Sequence, residues 1–332
     1  MQTAVAAILV FGLLIVFHEL GHFLVAKASD IKVLEFAIGM GPKLFNHKGK
    51  ETTYTLRALP IGGYVRMEGA DEASKDPRSF NNKPVLIRMA VLIAGSFMNF
   101  VLGILLFTIF IYSVGAPSTT ISEVIEDKPA ELVGLRAGDE VKYIDNKEIN
   151  NWQQLVDAIN RSEGNSIKVE VMRNGEIVEK NITPIIEETG QIIIGIIPEY
   201  ERSFITAFTS SFQNVFKIMG EIIGYLRGLI TREATPTEVV GPVGIINLVG
   251  QAAAAGWLNV VFLAALISVN LGIMNLLPIP ALDGSRIIFL FVELLRGKPV
   301  DPEKEGMIHM IGFAILIMLM IFVTYQDYMR LF

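Results

Sequence analysis

Four stretches of the chain are apolar for long enough to matter on the scale of a bilayer: residues 3–26, 85–114, 257–277 and roughly 307–328. A hydrocarbon core about 30 Å thick takes about 20 residues of helix to cross. Each stretch is therefore read as a transmembrane helix. The first has the length of a removable leader, but no basic residue precedes it and no small-residue cleavage site follows, so it is read as a retained span. Between spans two and three the pattern changes. Residues 119–184 alternate short β-rich runs (TTISEVI, EVKYI, SIKVEVMR, EIVEKNITP) with helical spacing at 129–133 and 152–159, which predicts a compact α+β module. Residues 203–230 then carry Phe204, Phe208, Phe212, Phe216, Met219 and Ile223 at helical intervals. That spacing predicts an amphipathic helix, lying either on the outer membrane surface or against the soluble module. Between spans one and two, ETTYTLRALPIGGYVR (residues 51–66) places β-formers around Pro60, Gly62 and Gly63, the pattern of a hairpin close to the membrane.

Charge orients these elements. Eleven Lys and Arg residues lie from Lys27 to Arg88, whereas Gln2 and Thr3 flank the first span on its other side. The positive-inside rule puts residues 27–84 in the cytoplasm and the N-terminus outside. Arg286, Arg296, Lys298 and Lys304 place residues 285–306 in the cytoplasm as well. Both termini and the soluble module are then extracytoplasmic. A formal charge of -6 leaves no basic face for phosphates, so nucleic acid is not an expected partner. The sequence has no cysteine, so a metal here would rely on His, Asp or Glu.

One pentapeptide carries chemistry. HELGH at residues 18–22 sets two histidines at i and i+4, about 40° apart around a helix, where both imidazoles reach one ion. Glu19 projects from nearly the same side, as the proton-accepting carboxylate does in zinc peptidases. Ionisable side chains within an apolar span cost about 2.5–3.5 kcal/mol for a charged carboxylate, and function is the default reading of them. At 1.5 Å per residue, Lys27 lies about 8 Å beyond His22 and about 14 Å beyond His18, which sets the pair in the cytoplasmic third of the membrane. A catalytic zinc uses a third protein ligand. His47 falls in the basic loop and His309 at the start of span four; Asp283, in NLLPIPALDG just after span three, is expected at the depth of the HELGH turn. Pro278 and Pro280 end the helix there, and Gly284 permits a tight turn.

These motifs together resemble the site-2 protease family (peptidase family M50), specifically bacterial proteases of the regulator of sigma-E type, with a single PDZ domain. The resemblance is carried by FHELGHFLVAK (17–27), FAIGMGPKLF (36–45), LPIGGYVRMEG (59–69), GPVGI (241–245) and ISVNLGIMNLLPIPALDG (267–284). KPAELVGLRAGDEVKYIDNKEINNW (128–152) is similar to a PDZ domain. The resemblance implies a polytopic α-helical membrane protein of the bacterial cytoplasmic membrane. Its expected parts are a first span with HExxH (1–26), a cytoplasmic loop with a membrane-associated hairpin (27–84), a second span (85–114) and an extracytoplasmic PDZ domain (118–185). An extracytoplasmic amphipathic segment (199–256), a third span with the LDG motif (257–284), a cytoplasmic loop (285–306) and a fourth span (307–330) follow. It further implies one Zn2+ per chain held by His18, His22 and Asp283, with Glu19 as general base. Asn270, Asn275, Pro278 and Pro280 are the candidate substrate-binding residues; either amide is placed to hydrogen-bond the oxyanion or substrate backbone, and polar packing between spans explains both amides as well. Two departures stand out: Ser96 in AGSFMN, where a proline is usual, and Ser285 after LDG, where a glycine is usual.

The implied activity is intramembrane proteolysis of single-span membrane proteins, anti-sigma factors or remnant signal peptides, after an upstream site-1 protease has trimmed the same substrates. The PDZ module acts in this scheme as a size filter or as a docking site for a peptide terminus. A non-catalytic PDZ scaffold with a structural metal is the rival reading, and Glu19 opposes it, because a structural site has no use for that carboxylate.

Overall fold

The structure, a computed structural model, describes residues 2–70, 74–187, 190–233 and 240–331, so small parts of the 27–84 and 199–256 segments lie outside the described residues. The chain divides into two compact units, Met1–Phe110 with Ser211–Phe332, and Ile111–Ser210.

Helix α1 (Gln2–Ala28) opens the first unit and gives way to a hairpin of β1 (Val33–Lys48) and β2 (Thr53–Met67), after which α2 (Val85–Val114) begins. The pairing differs from a turn centred on Pro60. Gly49 N–H donates to Thr52 O at 3.0 Å and closes the turn there, and the whole of Thr53–Met67 runs as strand. Phe36 is opposite both Tyr54 and Val65, so the first half of β1 lies between the two halves of β2. Gly39 (φ +84°), Gly41 (φ +83°) and Pro42 read as breakers in the sequence, yet here they bend a continuing strand. Glu35, within this sheet and 3% exposed, accepts from Thr55 Oγ1 at 2.8 Å and from Arg57 at 2.9 Å. Burial pushes its carboxyl up, but those bonds, a further one from Tyr64 and the nearby Lys43 charge outweigh burial and hold it at about 2.

The second unit begins with β3 (Ala116–Val124), the short helix α3 (Pro129–Leu132), β4 (Glu140–Ile144) and β5 (Lys147–Glu148). It continues through α4 (Trp152–Arg161), β6 (Ile167–Arg173), β7 (Glu176–Ile182), β8 (Ile185–Ile186), β9 (Ile192–Ile193) and β10 (Ile196–Glu201). The main sheet has the order β10-β3-β4-β6-β7, with β5 on β4. Alternation explains its core: Ile167, Val169 and Val171 of β6 all point inward, against Ile121, Val141 and Leu155. Asn151 caps α4 by accepting from Gln154 N–H at 2.9 Å. Strand β10 lies beyond the expected module and completes its sheet by pairing with β3. Its Pro198 obscured that strand in the sequence.

Helix α5 (Phe204–Thr231) buries Ala207, Ser211 and Val215 at four-residue intervals and exposes Phe204, Phe208, Phe212 and Phe216. Val215 packs into a core shared with Leu102 and Leu106 of α2. Next come α6 (Pro242–Ala255), α7 (Trp257–Leu276), α8 (Asp283–Arg296) and α9 (Pro302–Leu331). Among the described residues, four helices are long and apolar enough to cross a membrane: α1, α2, α7 and residues Glu303–Arg330 of α9. Residues 285–306, expected as a loop, hold most of α8, whose Leu290, with Ile287 one turn before it, packs into a core with Val91 and Leu92 of α2.

Glycines let these helices approach. A Cβ at Gly272 of α7 would stand 2.6 Å from the Phe100 ring of α2, and one at Gly21 of α1 would stand 2.6 Å from the Ala94 carbonyl carbon. The HELGH turn is thereby pressed onto the middle of α2.

Candidate metal centre

His18 and His22 meet Asp283 from the first turn of α8. The His18 Nε2–Asp283 Oδ2 distance is 3.2 Å, His22 Nε2–Asp283 Oδ2 is 3.3 Å, and the two Nε2 atoms are 3.2 Å apart. Zinc bonds of about 2.0–2.1 Å in tetrahedral geometry require ligand atoms about 3.3 Å apart, so this near-equilateral triangle has the dimensions of one face of a zinc tetrahedron. The donor chemistry agrees. His22 Nδ1 donates to Val91 O at 2.8 Å, which fixes the proton on that nitrogen and leaves the Nε2 lone pair facing the triangle.

Space is kept for the imidazoles by a residue the sequence reading did not single out. A Cβ on Gly95 of α2 would stand 2.6 Å from His22 Cε1 and 2.7 Å from His18 Cε1. The local signal was the Gly within AGSFMN, which in an apolar helix reads equally as a packing contact.

Asp283 is delivered by its own short-range geometry. Proline at 278 and 280 ends α7, and the chain reverses through Ala281, whose φ is +78°. Ala281 N–H donates to His309 Nδ1 of α9 at 3.1 Å. Gly284 is required because any Cβ would collide with the Leu276 and Leu277 backbone. Farther along α8, Glu293 pairs with Arg88 of α2 at 2.5 Å, both largely buried, which fixes the helix's direction.

Glu19 is not part of the triangle. It sits beside the hairpin instead: a Cβ on Gly63 of β2 would stand 3.0 Å from Glu19 Cγ. Asn275 Nδ2 and Asn99 Nδ2 lie 3.4 Å and 3.3 Å from His18 Nδ1, so Asn275 is at the site, and so is Asn99. Asn270 is exposed and, among the described residues, makes no hydrogen bond to the triangle. Pro278 is exposed; Pro280 packs against Gly312 of α9. His47 is exposed on β1, and His309 is occupied with Ala281, so neither joins the triangle.

The sequence pattern of Peptidase family M50 matches residues 6–319. A relative from Clostridium acetobutylicum is 42% identical over 97% of this chain and 96% of its own length. The zinc metalloprotease RasP of Bacillus licheniformis is 31% identical, with all of both chains covered, and the regulator of sigma-W protease RasP of Bacillus subtilis is 31% identical over 100% of this chain and 99% of its own. Among solved structures, the PDZ domain of the SdrC-like protein of Listeria monocytogenes is similar over 25% of this chain and 87% of its own, with 26% identity and a TM-score of 0.23. The chain belongs to peptidase family M50, the site-2 proteases, and is a zinc metalloprotease.

Proposed function

We propose that this protease cuts single-span membrane proteins, anti-sigma factors or remnant signal peptides, within the bilayer, using one Zn2+ per chain held by His18, His22 and Asp283. The observation that carries this reading is the triangle itself, formed on an apolar span with Glu19 beside it and outside it. Zinc held there would supply Lewis acidity toward the scissile carbonyl and a bound water molecule. Glu19 takes the proton of the attacking water and returns it to the leaving amine. Asn275 faces the site and donates a hydrogen bond to the developing oxyanion or to the substrate backbone. Asn270, Pro278 and Pro280 would act farther out, where an unwinding segment enters.

A transmembrane helix hides its carbonyls in its own hydrogen bonds, so substrate must open before it is cut. The strand segment ending β2 supports an answer. A Cβ on Gly63 would stand 3.0 Å from Glu19 Cγ, and residues 63–67 pair with β1 on one side and with no further strand among the described residues on the other. Unwound substrate adds to that free edge and passes Glu19. Adjacent backbone N–H groups of a strand point to opposite sides, so proline at Tyr64 or at Val65 removes a donor from the free edge in one case. One of the two variants should cleave more slowly with its zinc content intact; equal turnover in both would sink strand addition.

The cation count puts residues 27–84 in the cytoplasm and the PDZ domain outside, where it meets substrates already trimmed by a site-1 protease. As a size filter it holds back untrimmed protein. Deleting residues 118–185 then releases premature cutting of full-length substrate, whereas loss of cutting would make the module a docking site. The central test is co-expression of a tagged single-span substrate with wild type and with Glu19→Gln. Cleavage should vanish in the variant while zinc stays bound; undiminished cleavage would overturn the reading.

A further inference from the structure

Three residues of α2 back the triangle at four-residue intervals: Val91, Gly95 and Asn99. They lie on one face of that helix. Val91 offers its carbonyl to His22 Nδ1, and Gly95 leaves room for both rings. Asn99 completes the stripe. It is fully buried, its side chain reaches His18 Nδ1 at 3.3 Å, and its backbone carbonyl accepts from Ser268 Oγ of α7 at 2.7 Å, which pins it in place. Yet its Oδ1 has no hydrogen-bond partner among the described residues. A buried amide oxygen left unpaired costs about 1–3 kcal/mol, so it calls for an explanation.

We infer that Asn99 is the positioning residue for His18, accepting a hydrogen bond from its Nδ1–H through Oδ1 and so presenting the Nε2 lone pair to zinc. The inference rests on His18 being a zinc ligand. An imidazole that gives Nε2 to a metal carries its proton on Nδ1, and that proton needs an acceptor. The Asn99 amide turned half a revolution about Cβ–Cγ exchanges its isosteric ends and supplies one. The turn satisfies the orphaned oxygen and the imidazole N–H together. His22 already shows the same arrangement, with a backbone carbonyl as acceptor. Asn275 also reaches His18 Nδ1 but is partly exposed, and once Asn99 accepts the hydrogen bond from Nδ1–H the Asn275 amide is free to face substrate.

The test is zinc affinity by chelator competition in detergent, with unfolding of the zinc-free protein measured in parallel. Asn99→Leu should weaken zinc binding about 10- to 100-fold, the usual effect of losing such a partner. Asn99→Asp, which keeps an acceptor oxygen, should hold zinc within about threefold of wild type or tighter. Asn275→Leu should keep zinc and lose turnover. An Asn99→Leu protein that binds zinc like wild type would overturn the inference, as would equal weakening in the Leu and Asp variants. If the Leu variant does not fold, selective 15N-histidine spectra of the wild type decide: His18 protonated at Nδ1 supports the inference, and an unprotonated Nδ1 overturns it. His18→Ala separates the two levels, because retention of zinc in that variant would instead overturn the metal reading itself.

Discussion

Gly95 stands directly behind the His22 ring, so the backbone of α2 forms the floor of the candidate zinc site. A methyl group there would lie 2.6 Å from His22 Cε1, well inside van der Waals contact, and 2.7 Å from His18 Cε1. Neither ring can retreat, since Gly21 already holds α1 against Ala94. Gly95→Ala should therefore reduce zinc occupancy at least tenfold, by metal analysis of purified protein. In most helices the same substitution is stabilising, by about 1 kcal/mol.

The Arg88–Glu293 pair aligns α8 with α2 and so aims Asp283. Its side chains are 10% and 15% exposed. Removing one partner of a buried pair leaves the other charge uncompensated and costs about 3–5 kcal/mol. Glu293→Gln and Arg88→Met should each lower the thermal midpoint in detergent and weaken zinc binding. The double variant should recover part of the stability, because no unpaired charge remains.

Acid should loosen the hairpin through Glu35. Its folded pKa, about 2, lies below that of an unfolded glutamate, so its stabilisation is present in full above about pH 4.5 and fades as pH falls toward 2. The loss amounts to roughly 3 kcal/mol at most. Hydrogen exchange of β1 and β2 amides between pH 5 and 3 measures it, and Glu35→Gln should flatten that dependence.

GPVGI, which the sequence marks without explaining, acquires a physical role at the far end of α9. Asp327 is 3% exposed and accepts from Gly241 N–H at 3.1 Å and Gly244 N–H at 2.8 Å, capping α6 from outside. A Cβ on Gly244 would stand 3.1 Å from Asp327 Oδ1, and one on Gly241 would stand 2.7 Å from Val323 Cγ1. Asp327→Ala should cost about 2–3 kcal/mol, since two buried donors are orphaned. Gly244→Ala should cost less but in the same direction, both read from unfolding midpoints.

The long apolar helices and the three residues of the triangle were legible because each has a strong local signature: about 20 apolar residues, HELGH, and an Asp trapped in LPIPALDG. What could not be read arises from contacts distant in sequence. Helices α6 and α8 are too short to register as spans, and α8 is further obscured by following two prolines. The course of β1 was hidden by Gly39, Gly41 and Pro42, whose strand character depends on partners in β2. Gly95 and Asn99 matter through what lies across a helix interface, and no property of AGSFMN alone tells a packing glycine from one that shelters a ligand.

The triangle draws two of its corners from α1 and the third from α8. The hairpin, α2, the second unit and α7 all lie between these corners in sequence. A chain that stops short of α8 thus lacks the third corner of the candidate zinc site. Metal bound there would report a chain folded from its first helix through α8.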